Sequence, residues 1–319
     1  MLVLKLSVIV ASMCHRFSRN LLLVLVVTLA ACCFYPAVAN AQSVLTVDPA
    51  FQEVLLTIDE TEAETTISYS NESSESIELE LFAYDFTQTD LLGSVGMFPA
   101  DVSYPHTLAS FLEFEQNKLI VNPKEKKNAV IRVRNRASLT PGGHYAAVVA
   151  RVFQRPADAA TQQVVPAISA LILVRKTGGE QYHLSLSNTS WSPGTIEFSI
   201  PEKIELLFRN DGNVHDIPRG SVTVKNVFGT TLYQGTINES SLYVLPGTQR
   251  RIPVTLRNSH WLLPIEVITV ATNGTAQFST VAYQREESLI LVRWQFIVFV
   301  VLLVAVGVGI WRWQKRRRK

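Results

Sequence analysis

The sequence predicts an all-β protein that is exported and anchored in a membrane. Three observations support this prediction: an apolar segment near each end of the 319-residue chain, many short alternating segments between them, and no long helical periodicity in that middle part. Alternation of polar and apolar residues with a period of two is the pattern of a half-buried strand. We therefore expect a signal peptide, a β-rich middle region and one C-terminal transmembrane helix.

The N-terminal segment has the three parts of a secretory signal peptide. Arg16 and Arg19 precede the apolar run LLLVLVVTLAA, and the small residues AVANAQS follow shortly after it. This order predicts a signal peptide over residues 1–41 that is cleaved after Ala41, with Ala39 as the alternative cleavage site.

Two further alternatives remain open at the N-terminus. Translation could start at Met13 instead of Met1, and the LAAC stretch that ends at Cys32 matches the lipobox of lipidated proteins. All three cysteines, Cys14, Cys32 and Cys33, lie in this segment. The mature region after it therefore contains no disulfide, no thiol nucleophile and no cysteine zinc ligand.

The C-terminal apolar segment predicts a membrane anchor. Residues 294–311 read WQFIVFVVLLVAVGVGIW and carry no charge. At about 1.5 Å per residue this run spans about 27 Å, close to the thickness of the hydrocarbon core. Residues 312–319, RWQKRRRK, hold six basic residues, and basic flanks stay in the cytoplasm. We expect a single-pass protein with a cytoplasmic tail and extracytoplasmic domains.

The charge of the exported region argues against nucleic-acid binding. The whole chain has a formal net charge of +2, but its two end segments contain nine basic residues and no acid. The remaining region then has 20 basic against 27 acidic residues, and a nucleic-acid partner needs a basic surface. Within it, early segments are acidic and residues 118–155 are basic, which predicts cross-strand ion pairs within one β-sandwich.

The alternating segments fall into two series, separated by the polar sequence TGGE. The first series includes TTISYSN, SIELELFAYDF, NAVIRVRN and AISALILVRK, and the second includes KIELLFRN, GSVTVKNVFG and IEVITVATNG. Short strands separated by Gly, Asn, Asp and Pro turns are typical of immunoglobulin-like sandwiches. We predict two such tandem domains, over residues 42–179 and 180–287.

Two polar motifs are the candidate binding sites. NDGNVHDIPRG lies between two strand patterns and contains Asp211, Asn213 and His215. Its Asp-Gly and Asn residues suit a tight turn, and a ligand-contacting loop is the alternative. PGGHYAAVV contains His144 and Tyr145 at the start of a predicted buried strand. These two residues are expected either to pack in the rim of the sandwich or to bind a partner at the surface.

Catalytic and metal-binding patterns are missing from the sequence. It has no G-x-S-x-G elbow and no H-E-x-x-H motif. The loop around His215 lacks both the spacing of a calcium loop and a second zinc ligand. We therefore predict a protein that is not an enzyme, with no metal and no cofactor, although a pair of acids for glycoside cleavage stays open at this point.

The residues also resemble a known family. TISYSNESSESIELELFAYDF, with NPKEKKNAVIRVRNRASLTPGGHYAAVVARV, is similar to the first domain of bacterial WxL-interacting surface proteins. FRNDGNVHDIPRGSVTVKNVFG, with LPGTQRRIPV, resembles the second domain of related proteins, so the likeness covers most of residues 44–260. The resemblance implies a signal peptide, two immunoglobulin-like domains, an anchor and a basic tail. It also implies binding of peptidoglycan by the first domain and of partners by the second, without catalytic residues.

Three functions are compatible with these features. The first is a noncatalytic envelope protein that binds a cell-wall polymer or a secreted surface protein through loops or an exposed sheet edge, with a chaperone-like variant that donates a strand. The second is an enzyme acting on the wall. The third is a signalling or assembly subunit whose basic tail binds anionic lipid or an inner partner.

Overall fold

The computed structural model describes residues 45–100, 102–153, 167–191, 193–258, 264–279 and 282–317. The predicted signal peptide, including Cys32, lies outside these residues. The strands are β1 (Leu45–Asp48), β2 (Phe51–Leu56), β3 (Glu62–Asn71), β4 (Ile77–Gln88), β5 (Val95–Phe98), β6 (Leu112–Phe114), β7 (Lys118–Val121), β8 (Lys126–Arg134), β9 (Gly142–Val152), β10 (Ala167–Lys176), β11 (Leu184–Thr189), β12 (Ile196–Glu197), β13 (Lys203–Asn210), β14 (Pro218–Asn226), β15 (Thr231–Ile237), β16 (Gln249–Thr255), β17 (Arg257–Asn258), β18 (Ile265–Ala276) and β19 (Ala282–Val292). One helix, α1 (Trp294–Arg317), follows them.

The first β-sandwich is formed by β1 to β10. One sheet has the order β1-β3-β8-β6, and the other has the order β2-β10-β9-β4-β5, with β7 also paired to β4. The chain changes sheets between β1 and β2, because β1 pairs with β3 and β2 pairs in parallel with β10. Inward-facing side chains such as Ile67, Leu79, Ile131 and Val148 form a core without solvent exposure.

The second β-sandwich is formed by β11 to β19. A small sheet, β11-β13-β16, packs on a larger sheet with the order β12-β19-β18-β14-β15-β17. Leu206, Phe208, Val222 and Ile268 are buried in its core. The structure therefore confirms the predicted fold class, with two tandem immunoglobulin-like sandwiches that each have their own core.

The last strand and the helix extend beyond the predicted limits. β19 continues to Val292, past the predicted domain end at residue 287, and pairs with β18 along its length. Its inward positions include Arg285 and Glu287, which form an ion pair at 2.6 Å. These two charges interrupt the apolar alternation, so the sequence pattern there did not predict a strand.

The predicted cross-strand ion pairs of the first sandwich are confirmed. The register of β3 with β8 places Glu62 opposite Arg134 and Glu64 opposite Arg132. Arg134 contacts the Glu62 carboxylate, and Arg132 Nε lies 3.4 Å from Glu64. Because these side chains are substantially exposed, each pair contributes at most about 1 kcal/mol. The charge segregation is thus explained by the packing of one sheet.

Helix α1 is long and apolar enough to cross a membrane, judged by length and composition. Its 24 residues span about 36 Å, compared with about 30 Å for a hydrocarbon core. Three basic residues, Lys315, Arg316 and Arg317, lie in its last turn. The helix continues through the start of the segment that was predicted to be a separate tail at residues 312–319.

Candidate binding site at the joint between the sandwiches

The motif NDGNVHDIPRG forms the connection between β13 and β14, as its turn residues predict. β13 ends at Asn210 and β14 begins at Pro218. The Asn210 side chain closes the turn: its Nδ2 donates to the Val214 carbonyl at 2.8 Å, and its Oδ1 accepts from Gly212 N–H at 2.9 Å. The asparagine at this position is therefore explained by backbone geometry.

The same connection contacts the PGGHYAAVV motif of the first sandwich. Gly143 N–H donates to the Asn213 carbonyl at 2.8 Å. His215 N–H donates to the Tyr145 hydroxyl at 3.0 Å, and that hydroxyl lies 3.3 Å from His215 Nδ1. Tyr145 and His215 are fully buried. The two motifs singled out in the sequence thus form one interface, which we call the closed seam, made by residues 142–145 and 213–216.

Two glycines in the PGGHYAAVV motif allow the backbones to approach. A Cβ on Gly143 would collide with the Tyr145 hydroxyl and lie 3.2 Å from Val214 Cα. A Cβ on Gly142, which has a φ of +129°, would lie 2.9 Å from the Asn213 carbonyl oxygen. The sequence suggested a turn here, whereas the structure places both glycines in β9, where they contact the second sandwich.

Glu53 of β2 links the two sandwiches next to the closed seam. Its carboxylate lies 3.4 Å from His215 Nε2 and 3.5 Å from Arg175 Nε, and it accepts a hydrogen bond from the Tyr243 hydroxyl at 3.2 Å. Burial raises the pKa of Glu53, but His215, Arg175 and Tyr243 outweigh this effect and hold its pKa below the usual value. Burial and the nearby Glu53 carboxylate raise the pKa of Tyr243 to about 12.

Asp216 lies on the other side of His215 and is buried. Its Oδ1 accepts from Ile217 N–H at 2.8 Å and from Phe278 N–H at 3.1 Å. Its Oδ2 has no hydrogen-bond partner among the described residues. Burial raises the pKa of Asp216, and this effect outweighs the lowering by its hydrogen-bond donors and by the nearby His215.

The remaining sequence candidates have mainly structural contacts. The ring nitrogens of His144 lie 2.9 Å from the Thr107 carbonyl and 2.7 Å from the Thr140 carbonyl, and the side chain is buried. Asp211 is exposed and pairs with Arg209 at 2.7 Å. Asn213 accepts from Gln181 N–H at 2.7 Å through Oδ1. A ligand role for these residues stays a prediction.

A second contact between the sandwiches lies apart from the closed seam. Gln88 Nε2, at the end of β4, donates to the Gln249 carbonyl at 2.5 Å. Arg251 N–H donates to the Leu91 carbonyl at 2.7 Å. We call this contact the β4–β16 seam. Hydrogen bonds therefore connect the two sandwiches at two places, and residues of both sandwiches also line a groove, with Gln88 and Arg250 close to the second contact.

This groove is the candidate site that lies at the joint between the sandwiches. It has a volume of about 510 Å³, and its floor is the outer face of the larger sheet of the first sandwich. The wall from the second sandwich includes Tyr243, whose ring centroid lies 4.7 Å from that of Phe51. The lining is mainly apolar and comprises Phe51, Phe86, Gln88, Gly93, Val95, Leu171, Leu173, residues 240–243, Leu245 and Arg250.

Arg250 is the cation of the groove. Its Nη1 donates to the Tyr243 carbonyl at 2.7 Å, and its Nε has no hydrogen-bond partner among the residues that the structure describes. Those residues also provide no carboxylate within 4.0 Å of it. Asp90 is close enough to raise the pKa of Arg250, but burial has the larger effect and lowers it. The Asp90 carboxylate is occupied by Ser94 and by backbone N–H groups.

Arg175 provides a contrast to Arg250 within the same joint. Its Nε lies 3.5 Å from Glu53, and its guanidinium stacks on Phe278 with 4.6 Å between Cζ and the ring centroid. Arg175 therefore has a carboxylate within 4.0 Å, whereas the hydrogen bonds of Arg250 go to carbonyl oxygens and Asp90 acts on it from a greater distance. Residues of this groove, including Arg250, Tyr243 and Phe51, were not among the sequence candidates, because no local motif marks them.

The structure describes no arrangement of three or more His, Cys, Asp or Glu side chains that could hold a metal ion in residues 45–317, gaps excepted. The groove residues carry no nucleophile and base in contact. What this arrangement can do chemically is to bury apolar groups against its floor and to accept an anionic group at Arg250.

Comparisons with known proteins give matches in structure only. No protein-family model and no curated protein matches the chain. The class 5 fimbriae chaperone CfaA aligns with a TM-score of 0.41 and 9% identity, over 76% of this chain and 98% of that chain. The E. coli chaperone DraB aligns with a TM-score of 0.35 and 12% identity, over 77% and 96%. A protein of unknown function from Porphyromonas gingivalis W83 gives 0.30 and 13%, over 78% and 99%.

Proposed function

We propose that this chain is a noncatalytic, membrane-anchored envelope protein that binds an extended segment of a secreted or surface protein in the groove between its sandwiches. The observation that carries the proposal is the apolar groove beside Arg250, a half-buried cation without a carboxylate partner in the described structure. A partner segment with apolar side chains and one carboxylate complements both features.

A protein segment fits this groove better than a wall polymer does. Phe86 and Leu173 at its base are already buried, and its exposed apolar lining is provided by Phe51 and Val95, each 37% exposed. Such a surface gains most from apolar side chains, at about 25 cal/mol per Å² buried. Glycan strands need many hydrogen-bond donors and acceptors instead. Binding of a wall polymer, as the family resemblance implies, is therefore the alternative outcome.

A sheet edge beside the groove supports the binding of an extended segment. β5 pairs with β4 on one side, and the described strands leave its other side unpaired. Val95 of this strand lines the groove and is 37% exposed. An extended peptide can add to such an edge through its backbone while its side chains enter adjacent pockets.

Helix α1 supplies the membrane anchor in this proposal. Basic residues follow its apolar part, which by the positive-inside rule supports a cytoplasmic tail with both sandwiches outside the cytoplasm. A signal peptide at residues 1–41 is required for that orientation. The WxL-interacting resemblance agrees with the same order of segments.

The test uses a photo-crosslinking amino acid in the full chain expressed in its own cells. With the crosslinker at Val95, we expect adducts to one segment of one exported protein. The control position is Ile120 of β7, which is exposed and pairs with the opposite end of β4. We expect no such adduct there. Adducts to wall glycan would favour the wall polymer, and equal labelling at both positions would refute the groove as the site.

An arginine pair on β16 gives a matched comparison for the same test. Arg250 faces the groove, whereas Arg251 pairs with Glu205 at 3.4 Å on the other face. A hydrogen bond to a charged group contributes about 1.5–3 kcal/mol, and 1.4 kcal/mol is a factor of about ten in affinity. We expect Arg250→Met to reduce crosslinking from Val95 about tenfold and Arg251→Met to leave it unchanged.

A further inference from the structure

The second sandwich has an apolar surface at the end where it meets helix α1. On the outer face of its larger sheet, strand register places Ile196, Ile290 and Val267 side by side in one row. The next row towards the helix contains Val292 and Ile265. We call these five residues the apolar base.

The apolar base is bounded sharply by polar rows. The adjacent row of the same face contains Ser288, Thr269 and Lys225, and Thr269 Oγ1 lies 3.1 Å from Ser288 Oγ. The row after that includes Glu286. The outer face therefore changes from polar to apolar within one row, about 5–7 Å along the strands.

A hairpin tip extends this apolar surface. The turn between β14 and β15 begins after Asn226, which pairs with Ile268, so the turn itself lies at the level of the apolar base. Val227 and Phe228 occupy this turn, and Phe228 is 82% exposed. Exposing a phenylalanine at a turn leaves a large apolar area in water, which is unfavourable unless another apolar phase covers it.

The chain leads directly from this surface into α1. β19 ends at Val292, only Arg293 intervenes, and α1 starts at Trp294. Arg293 N–H donates to the Pro264 carbonyl at 3.0 Å, and the Arg293 carbonyl accepts from Phe296 N–H at 2.9 Å. The helix is thus joined to the sheet by hydrogen bonds, and two residues of chain span at most about 7 Å.

We infer that the apolar base and the Val227–Phe228 turn lie in the interfacial layer of the bilayer that α1 crosses. If α1 enters the hydrocarbon at Trp294, Val292 lies within about 7 Å of that point, inside the headgroup region, and Ile265 is its partner on the neighbouring strand. Lys225 lies in the adjacent polar row, where its ammonium group can reach lipid phosphates. The occupant is lipid, and a second copy of the chain is the competing outcome.

This inference depends on α1 being the membrane span and is independent of what the groove binds. In this arrangement the exposed apolar side chains hold the second sandwich against the membrane surface. They thereby fix the orientation of the groove relative to the membrane. Partners would then reach the groove from one side of the membrane-bound protein only.

The experiment uses the full chain reconstituted in vesicles of phosphatidylcholine and phosphatidylglycerol, with a photo-crosslinking amino acid at one position at a time. Positions Phe228 and Val267 are expected to form lipid adducts. Ser288, one row above Ile290 on the same face, is the close control, and Leu92 of the first sandwich, which is 70% exposed, is the distant one. We expect several-fold more lipid adduct at the first two positions than at either control.

A second readout uses lipids brominated along the acyl chain, with Phe228→Trp and Leu92→Trp variants compared under the same conditions. Quenching that is several-fold stronger at position 228 supports the inference. Equal lipid adducts at Phe228 and Leu92, or adducts from Phe228 to another copy of the chain instead of lipid, would overturn it. Failure here leaves the groove test unaffected, because that test is read at Val95.

Discussion

The closed seam and the groove belong to one joint but differ in what covers their side chains. In the closed seam, Tyr145 and His215 are fully buried, and His215 N–H donates to the Tyr145 hydroxyl. In the groove, Val95 is 37% exposed and Arg250 lacks a carboxylate partner in the described structure. Both regions contain a buried polar atom without a hydrogen-bond partner among the described residues, Asp216 Oδ2 in the closed seam and Arg250 Nε in the groove. The groove differs because it also has exposed apolar side chains, Phe51 and Val95, which the partner in our proposal would cover.

The two sequence motifs with the most polar residues form the closed seam, and the groove of our proposal is lined by other residues. Between the two motifs, Gly143 N–H donates to the Asn213 carbonyl and the Tyr145 hydroxyl accepts from His215 N–H. The side chains of His144, Asn210 and Asp216 instead bond to the backbone of their own sandwich. The groove lies in the same joint, where Tyr243 of the second sandwich contacts Phe51 and Glu53 of the first. Because the closed seam and the groove belong to one joint, a substitution in the seam should also change binding in the groove.

The largest effect is expected from Gly143→Ala. The new methyl group would collide with the Tyr145 hydroxyl and press against the backbone of Val214, so the sandwiches must separate or Tyr145 must leave its position. Overpacking of this kind costs about 1–3 kcal/mol, and the loss of buried contacts adds to it. We expect the free energy of unfolding of the full chain in micelles, measured by urea denaturation, to fall by about 3 kcal/mol.

Gly194→Ala is the matched control for that substitution. A Cβ on Gly194 meets only ordinary contacts, the nearest being Glu197 Oε1 at 3.7 Å, and the expected change lies within about 0.5 kcal/mol. Crosslinking from Val95 should also fall with Gly143→Ala, since the groove loses its fixed walls. An unchanged unfolding free energy for Gly143→Ala would show that the closed seam does not require close backbone contact.

A smaller effect is expected from removing single hydroxyl groups in the two regions. Tyr145→Phe leaves the buried His215 N–H without its acceptor, which costs about 1–3 kcal/mol. Tyr243→Phe removes a hydrogen bond to the Glu53 carboxylate at 3.2 Å, but that carboxylate is partly exposed and keeps Arg175 and His215 within 3.5 Å. We therefore expect the smaller loss for Tyr243→Phe. Urea unfolding of the two variants compares the regions directly. Equal losses would mean that the groove wall is as closed as the seam.

Much of the fold follows from patterns that are local in sequence. The alternation in SIELELFAYDF and NAVIRVRN predicts β4 and β8, and the apolar run after Trp294 predicts α1. The turn after Asn210 also follows from residues that tolerate tight backbone geometry. Each of these signals depends on neighbours within a few positions, and for this reason the sequence reveals them without any knowledge of the fold.

The joint could not be predicted in the same way. Gly143 meets Asn213, and Glu53 meets Tyr243, across long stretches of chain, and neither pair has a local signature. Arg250 and Arg251 are adjacent and chemically identical, yet one faces the groove and the other faces Glu205. Only the register of β16 against β13 and the docking of the two sandwiches distinguish them.

The smallest expected effects are changes in how the free energy of unfolding depends on pH. They have opposite signs for Glu53 and Asp216, which lie on the two sides of His215. The pKa of Glu53 lies below its usual value because His215, Arg175 and Tyr243 outweigh the effect of burial. A carboxylate with a lowered pKa contributes stability that is present above its unfolded pKa of about 4.3 and is lost as pH falls through the lowered folded value. Glu53→Gln should therefore weaken the acid dependence of the unfolding free energy.

Asp216 should behave in the opposite direction, because burial raises its pKa in the folded chain. Its contribution is fully present below the unfolded pKa and is lost as pH rises through the raised value, so at neutral pH the buried carboxylate is a cost. Asp216→Asn keeps an acceptor for Ile217 and Phe278 N–H and should stabilise the chain at neutral pH by less than Tyr145→Phe destabilises it. Unfolding free energies of both variants across acidic to neutral pH check this. If Asp216→Asn instead lowers the stability at neutral pH, the negative charge of Asp216 stabilises the joint. Burial would then not be the dominant effect on this carboxylate.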